Sequence, residues 1–250
     1  MITGNDFPRI ALIGYGSMGK EIERIAHKKG ITISNIFDID NPLSLSSPDN
    51  FDVAIDFSTP ASIIENVRLV SKLQKDIVIG TTGWNDQFQE VVQHIENNSV
   101  GAIYGSNYSI GMQMFFRVVR QASMLINTVD EYDIFLHEIH HKRKIDSPSG
   151  TALSLADIIL EEIERKQIIV SETLHSKINE NELHISSVRG GEITGTHTVY
   201  VDSQADTIEL THRAKNRGGF ALGALEAAGW IWKKKGVYDF TSVFTEILEK

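Results

Sequence analysis

The chain has no cysteine. Disulfides, thiolate nucleophiles and cysteine-ligated zinc or iron–sulfur centres are thereby excluded. Positive charge is also in short supply. Against 33 Asp and Glu stand 24 Lys and Arg, a formal net charge of -9 at pH 7. A surface of that sign repels nucleic acid, so no nucleic-acid partner is expected. No apolar run approaches the roughly 20 residues that span a bilayer, so no membrane partner is expected. The segment Met1 to Pro8 is polar and lacks the basic-then-apolar order of a signal peptide. A cytoplasmic protein is the expectation.

What is present suffices for a packed core. The chain has 250 residues, 41% of them hydrophobic, enough for one large domain or two small ones. Its first hundred residues alternate strand and helix. Arg9–Ile13, Ile33–Asp38, Val53–Phe57, Ile77–Gly80 and Gly101–Tyr104 read as strands. Ser17–Lys29, a segment from Thr59-Pro60 to Leu73, and Asn85–Glu96 read as helices. That alternation means right-handed βαβ units on a parallel sheet. The second half reads differently. Helices are expected over Gly111–Asn127, Ser149–Arg165 and Gly219–Lys234. Strands are expected over Tyr132–Ile139, His184–Arg189, Gly195–Val201 and Thr207–Arg213, joined by short turns such as Gly190-Gly191. The fold class is therefore α/β: a Rossmann-type dinucleotide-binding domain plus an α+β substrate and oligomerisation domain with a mixed sheet. The expected boundaries are 1–108 with about 217–250 for the first, and 109–216 for the second.

Gly14-Tyr15-Gly16-Ser17-Met18-Gly19 lies between the first strand and the first helix. Gly14 permits the tight turn, Gly16 lets backbone approach a pyrophosphate, and Gly19 lets helix meet strand. The free amides of the helix start then face the phosphates. Asp38 closes the second strand, where a carboxylate accepts from ribose hydroxyls and repels a 2′-phosphate. Ile39 and Asp40 follow it, with no arginine. The expected cofactor is NADH or NADPH, with NADH favoured. Gly80-Thr81-Thr82-Gly83 ends the fourth strand and Ser106-Asn107-Tyr108-Ser109 follows the fifth on the same edge; the first suits the nicotinamide riboside or is an ordinary loop, and the second holds the carboxamide or marks a hinge.

The run Glu138-Ile139-His140-His141-Lys142-Arg143-Lys144 is followed by Ile145-Asp146-Ser147-Pro148-Ser149-Gly150-Thr151-Ala152. Proton donors stand beside a helix start. Ser149 is a good N-cap, and Gly150 and Thr151 offer amides and a hydroxyl to an anion. A reducible C=N or conjugated C=C takes hydride at carbon and a proton elsewhere, which imidazolium or ammonium supplies. His140 and His141, if extended, point to opposite faces and have different tasks. A metal held by His137 and His141 is the competing idea, and no metal is expected. His175, His184, His197 and His212 are assigned structural or surface roles.

These residues resemble the 4-hydroxy-tetrahydrodipicolinate reductase (dihydrodipicolinate reductase) family. The resemblance rests on Glu138 to His141, Lys144, Asp146 and Pro148 to Ala152. Gly80 to Gly83, Asn107 to Gly111, His212-Arg213-Ala214 and Phe220 to Trp230 extend it over nearly the whole chain. It implies NAD(P)H-dependent reduction of a cyclic dicarboxylate in lysine and diaminopimelate biosynthesis. It implies His140 and Lys144 as catalytic, with His141, Ser149, Gly150 and Thr151 on the substrate, the Gly14 to Gly19 turn, Asp38, Gly80 to Thr82 and Gly105 to Tyr108 on the cofactor, and usually a homotetramer. Three positions depart from the common pattern: Ser17 in place of an arginine, Gly105-Ser106 in place of Ala-Pro, and Ser147 in place of alanine. The alternatives are another two-domain dehydrogenase of a small amino acid or semialdehyde, and a non-catalytic nicotinamide-binding regulator. The first lacks the His-His-x-x-Lys and Ser-Gly-Thr pairing; the second needs no proton donors.

Overall fold

The structure is a computed structural model and describes residues 7–249. The leader reading of the N-terminus falls largely outside those residues. The chain divides into two compact units. One takes the described residues up to Ile110 and those from Arg217 onward; the other is Gly111–Asn216.

The first unit begins with β1 (Ile10–Ile13), α1 (Ser17–Lys29), β2 (Ile33–Phe37), β3 (Val53–Asp56), α2 (Ile63–Lys72), β4 (Asp76–Ile79), α3 (Phe88–Asn98) and β5 (Gly101–Tyr104). The second unit holds most of α4 (Ile110–Ile126), then β6 (Asp133–His140), α5 (Gly150–Glu162), β7 (Ile168–Val170), β8 (Glu182–Arg189), β9 (Thr196–Asp202) and β10 (Thr207–Arg213). The chain returns with α6 (Gly218–Ile231), β11 (Gly236–Asp239) and α7 (Phe240–Leu248).

In the first unit all strands are parallel, in the order β11-β5-β4-β3-β1-β2. Side chains alternate between faces. Ile10, Leu12, Val53 and Ile55 pack with α1, α6 and α7, while Ala11, Ile13, Ala54 and Ile77 pack with α2 and α3. Burial on both faces is why these strands read as unbroken apolar runs. Since β2 and β3 flank β1 on opposite sides, the winding reverses at β1. A crevice for ligands opens beyond the carboxyl ends of β1 and β3, where Gly14 to Gly19 lies.

Two helix starts differ from expectation. A 3-10 turn over Pro60–Ser62 precedes α2, and Thr59 makes no side-chain cap. Another over Asn85–Gln87 precedes α3, so Asn85 opens a turn instead of capping the helix. Gly30, at φ 70°, ends α1.

The second unit's sheet runs β10-β9-β6-β8-β7, with β6/β8 and β7/β8 parallel and the other pairs antiparallel. One face packs Ile134, Leu136, Leu183, Ile185, Val199 and Val201 against α4 and α5. Because β6 separates β8 from β9, Gly190-Gly191 is no hairpin turn. The segment 190–195 crosses the end of β6 and bonds to it, Gly190 N donating to His140 O at 2.9 Å.

Three elements escaped the sequence reading: β7, β11 and α7. The first two are short and half-buried. Asp239 caps α7, its carboxylate accepting from Thr241 N. No described helix is long and apolar enough to cross a membrane.

The helix α6 is apolar on nearly all sides and buried. Its Gly223 has a packing reason, since a Cβ there would lie 1.8 Å from Tyr108 O. Gly→Ala inside a helix ordinarily stabilises by about 1 kcal/mol. Gly223→Ala is predicted to do the reverse, lowering stability by about 2 kcal/mol through overpacking. Urea denaturation checks the sign.

Candidate active site

The carboxyl edge of the first unit's sheet is built by glycines and one aromatic ring. Gly14 sits at φ 89°, and a Cβ there would come within 2.4 Å of Phe57 O. A Cβ on Gly80 would strike the Phe57 ring, and one on Gly19 would strike Gly14 O. Gly16 differs. It is the N-cap of α1, makes no side-chain cap and faces open space. The α1 amides are thus left to an incoming anion. Asp38 follows β2, its Oδ1 accepting from Asp40 N and Asn41 N, both at 3.0 Å.

Asp56 ends β3 and is wholly buried. Its Oδ1 accepts from Ser58 N, Ser58 Oγ and Thr81 Oγ1, and its Oδ2 from Asn66 Nδ2. Burial pushes this carboxyl up, against those hydrogen bonds. Thr81 therefore spends its hydroxyl proton on Asp56 and presents lone pairs only. Asp56 escaped notice in sequence because an acid inside an apolar run carries no motif. The Tyr108 side chain is committed elsewhere: its hydroxyl donates to the carbonyls of Ile79 and Ile103, and its ring lies 4.5 Å from that of Phe240. Asn107 Oδ1 accepts from Ser109 N.

In the second unit the strand register makes the site. The inner face of β6 is apolar at Ile134 and Leu136, then continues as Glu138 and His140. Register puts Ser187, Glu138, His197 and His212 in one row across β8, β6, β9 and β10. His140 and Arg189 form the next row. Glu138, His140 and His197 are all buried. Glu138 Oε1 accepts from Arg189 Nη2 at 2.7 Å and from Ser149 N at 3.2 Å. Glu138 Oε2 lies 2.5 Å from His140 Nδ1, with the N–H off the line between them. Burial works to raise the Glu138 carboxyl, but His140, Arg189 and Ser187 beside it outweigh burial and hold it well below the usual carboxylate range.

His197 was assigned a structural role, yet its ring meets that of His140 edge-on, centroids 5.1 Å apart. Its Nε2 is 3.2 Å from Ser149 Oγ. Burial pushes its imidazole down to about 3, and His140 adds to the shift. Neither His197 nor Arg189 carries a local sequence signal, because register alone brings them to Glu138. Glu138, His140 and His197 each offer a donor atom within 4.8 Å of the others, a spacing that suits a metal ion. The guanidinium on Glu138 already supplies a cation there. His137 lies on the opposite face, bonded to Ser186 Oγ at 2.7 Å, and β6 ends before His141. The two share no ligand geometry.

The cations of the following loop are divided in use. Arg143 pairs with Glu192 on the surface. Lys144 Nζ is 2.8 Å from Asp146 Oδ1. Burial works to raise the Asp146 carboxyl, but Lys144 and the Gly150 amide bring it below its usual value. The Ser147–Pro148 peptide is cis. Ser149 caps α5 as expected, Oγ accepting from Ala152 N at 3.2 Å, and Gly150 is open to its surroundings. Arg189 Nη2 also donates to Asp146 O at 2.6 Å, tying this loop to β6.

Residues 8–108 match the family model described as dihydrodipicolinate reductase, N-terminus, and residues 111–244 the one described as its C-terminus. The 4-hydroxy-tetrahydrodipicolinate reductase of Christiangramia forsetii is 36% identical over 242 residues, 96% of this chain and 99% of that one. That of Methanosarcina acetivorans is also 36% identical, covering 95% and 89%. Among solved structures, a dipicolinate-bound dihydrodipicolinate reductase from Paenisporosarcina sp. TG-14 superposes with a TM-score of 0.74 at 22% identity, covering 95% and 99%. A DAP dehydrogenase of C. glutamicum reaches 0.51 at 16%, covering 96% and 95%. At such identities the structures speak for the fold alone.

Gly195 lies against the His140 ring: a Cβ there would stand 2.9 Å from His140 Nε2. Gly195→Ala is predicted to cut turnover by about tenfold or more while the protein stays folded, as steady-state kinetics with circular dichroism will show. His197 gives a pH signature. Its folded value of about 3 lies below the ordinary 6.5, so its contribution to stability is present above pH 6.5 and is lost as pH falls towards 3. The slope amounts to at most about 1.4 kcal/mol per pH unit. His197→Gln is predicted to flatten the fall in stability between pH 6.5 and 5, measured by urea denaturation.

Proposed function

The chain belongs to the dihydrodipicolinate reductase family, and we propose that it reduces 4-hydroxy-tetrahydrodipicolinate to tetrahydrodipicolinate in lysine and diaminopimelate biosynthesis. One observation carries the reading to the residues. The buried His140 ends β6 beside a loop whose Lys144 and Gly150 amide already engage a carboxylate, that of Asp146. Those donors suit a substrate carboxylate, which would take Asp146's place.

We assign the residues at 1–108 and 217–250 to the nucleotide and 109–216 to substrate and assembly. The open N-cap at Gly16, the free start of α1 and the acid after β2 fit a nicotinamide dinucleotide. When bound, that nucleotide supplies a hydride. The Gly14 to Gly19 amides hold its pyrophosphate, Asp38 its ribose, and the segments at Gly80 to Thr82 and Gly105 to Asn107 the other end. Tyr108 supports the last segment from the core. Asp38 followed by Asp40, with no arginine beside them, favours NADH.

On the substrate side, Gly150, Thr151 and His141 hold carboxylate, while Ser149 fixes the helix start from beneath. His140 and Lys144 deliver the proton that accompanies hydride addition. The substrate would gain one hydride and one proton and lose its hydroxyl as water, the two electrons coming from the reduced nicotinamide. The working form we propose is a cytoplasmic homotetramer. Its support is the outward face of the second unit's sheet, where Phe135 and Tyr200 stack with centroids 5.0 Å apart.

Oxidation of NADH followed at 340 nm, with substrate freshly made by the preceding synthase, tests the activity. Rapid turnover is expected, faster in kcat/KM with NADH than with NADPH. Absence of turnover by folded, NADH-binding protein would overturn the reading. Lys144→Ala is predicted to lower kcat about a hundredfold or more with NADH affinity nearly unchanged, separable by fluorescence titration. Asp38→Ala is predicted to raise the efficiency of NADPH relative to NADH; an unchanged ratio would remove Asp38 from nucleotide selection.

A further inference from the structure

Glu138 is a buried charge that the reaction as written does not use. Its two oxygens face different partners. Oε1 accepts from Arg189 Nη2 and Ser149 N. Both groups can only donate, since a guanidinium and a backbone amide nitrogen carry no acceptor lone pair. Oε1 is thereby fixed as an acceptor. Oε2 has His140 Nδ1 at 2.5 Å. A carboxylate oxygen and a nitrogen lone pair repel at that separation, so a proton must lie between them. The ring needs only a small turn to align, which is common before substrate binds. With Nδ1 so engaged, Nε2 is the nitrogen left to exchange a proton with substrate. It is also the atom that Gly195 leaves room for.

Stability alone gives a weak reason for this arrangement. A buried ion pair gains little net energy, because desolvation offsets the attraction. What the pair supplies is geometry. Through its second bond, to Asp146 O at 2.6 Å, Arg189 fastens the loop that carries Lys144 to the strand end that carries His140.

We propose that Glu138, held by Arg189, is a positioning residue: it fixes His140 as the Nδ1–H tautomer, so that Nε2 handles the proton. The kinetic consequence rests on the reductase reading; the tautomer does not.

Glu138→Gln is the discriminating variant. Arg189 and Ser149 N are both donors, so the glutamine oxygen must face them. Its NH₂ then turns to His140 Nδ1, which is forced to accept. The neutral ring is driven to the opposite, Nε2–H tautomer. Nitrogen NMR of ¹⁵N-histidine-labelled protein, with His140 assigned by its loss in His140→Gln, reads this directly. The expected result is Nδ1–H in the natural protein and Nε2–H in Glu138→Gln. The variant should lose about a hundredfold in kcat with KM for NADH within about twofold. Glu138→Asp, which restores the carboxylate, should recover part of the loss. A merely structural residue would lower stability and leave the tautomer alone.

The proposal is overturned if the natural protein shows neutral His140 as Nε2–H, or if folded Glu138→Gln keeps kcat within about threefold. The spectrum of the natural protein decides the tautomer even if the variant fails to fold. Natural protein that shows Nδ1–H yet no turnover would support the positioning and overturn the reductase reading.

Discussion

A carboxylate in the interior of a sheet constrains everything near it. Glu138 sits on the face of β6 that two residues earlier is apolar core. A charge there must be met by donors, and the neighbouring strands supply them by register. Arg189 comes from the parallel strand β8, and Ser149 from the cap of α5. His197, opposite on β9, is kept neutral by burial. The crossing segment 190–195 then needs Gly195 to clear the His140 ring. Core packing, helix capping and proton chemistry meet on one side chain.

The first unit solves a different problem, that of clearing space for backbone and ligand. Phe57 touches both glycine-bearing turns in one place, its carbonyl against Gly14 and its ring against Gly80. Gly16 alone in the first turn faces nothing. Glycines that look equivalent in the motif thus do separate work: two are required by packing and one is open for an anion. Asp56 beneath them organises Ser58 and Thr81, which limits Thr81 to accepting hydrogen bonds.

The parallel sheet was legible in sequence because its strands are buried on both faces and its helices are amphipathic, two patterns that need no tertiary knowledge. The glycine turn and the Ser149 cap were legible for a similar reason, since each is a local device written in adjacent residues. Register is not local. Arg189 and His197 lie far along the chain from Glu138, and only strand pairing makes them neighbours. For the same reason Gly190-Gly191 passed for a hairpin until the strand order separated β8 from β9. The edge strand β7 and the closing β11 were too short to carry a period, whereas α7 carries one in Phe240, Phe244 and Ile247 that the sequence reading passed over. Arg143, in the middle of the Lys142 to Lys144 cluster, is spent on Glu192.

The proposed reaction puts a hydride from the nucleotide and a proton from a side chain into one small dicarboxylate. Turnover with NADH deuterated at the transferable C4 position, followed by mass spectrometry of the product, tests it most directly. Hydride transfer predicts one non-exchangeable deuterium carried from the nucleotide into the product. Product formed without that label, or nucleotide that binds and is never consumed, would contradict the claim.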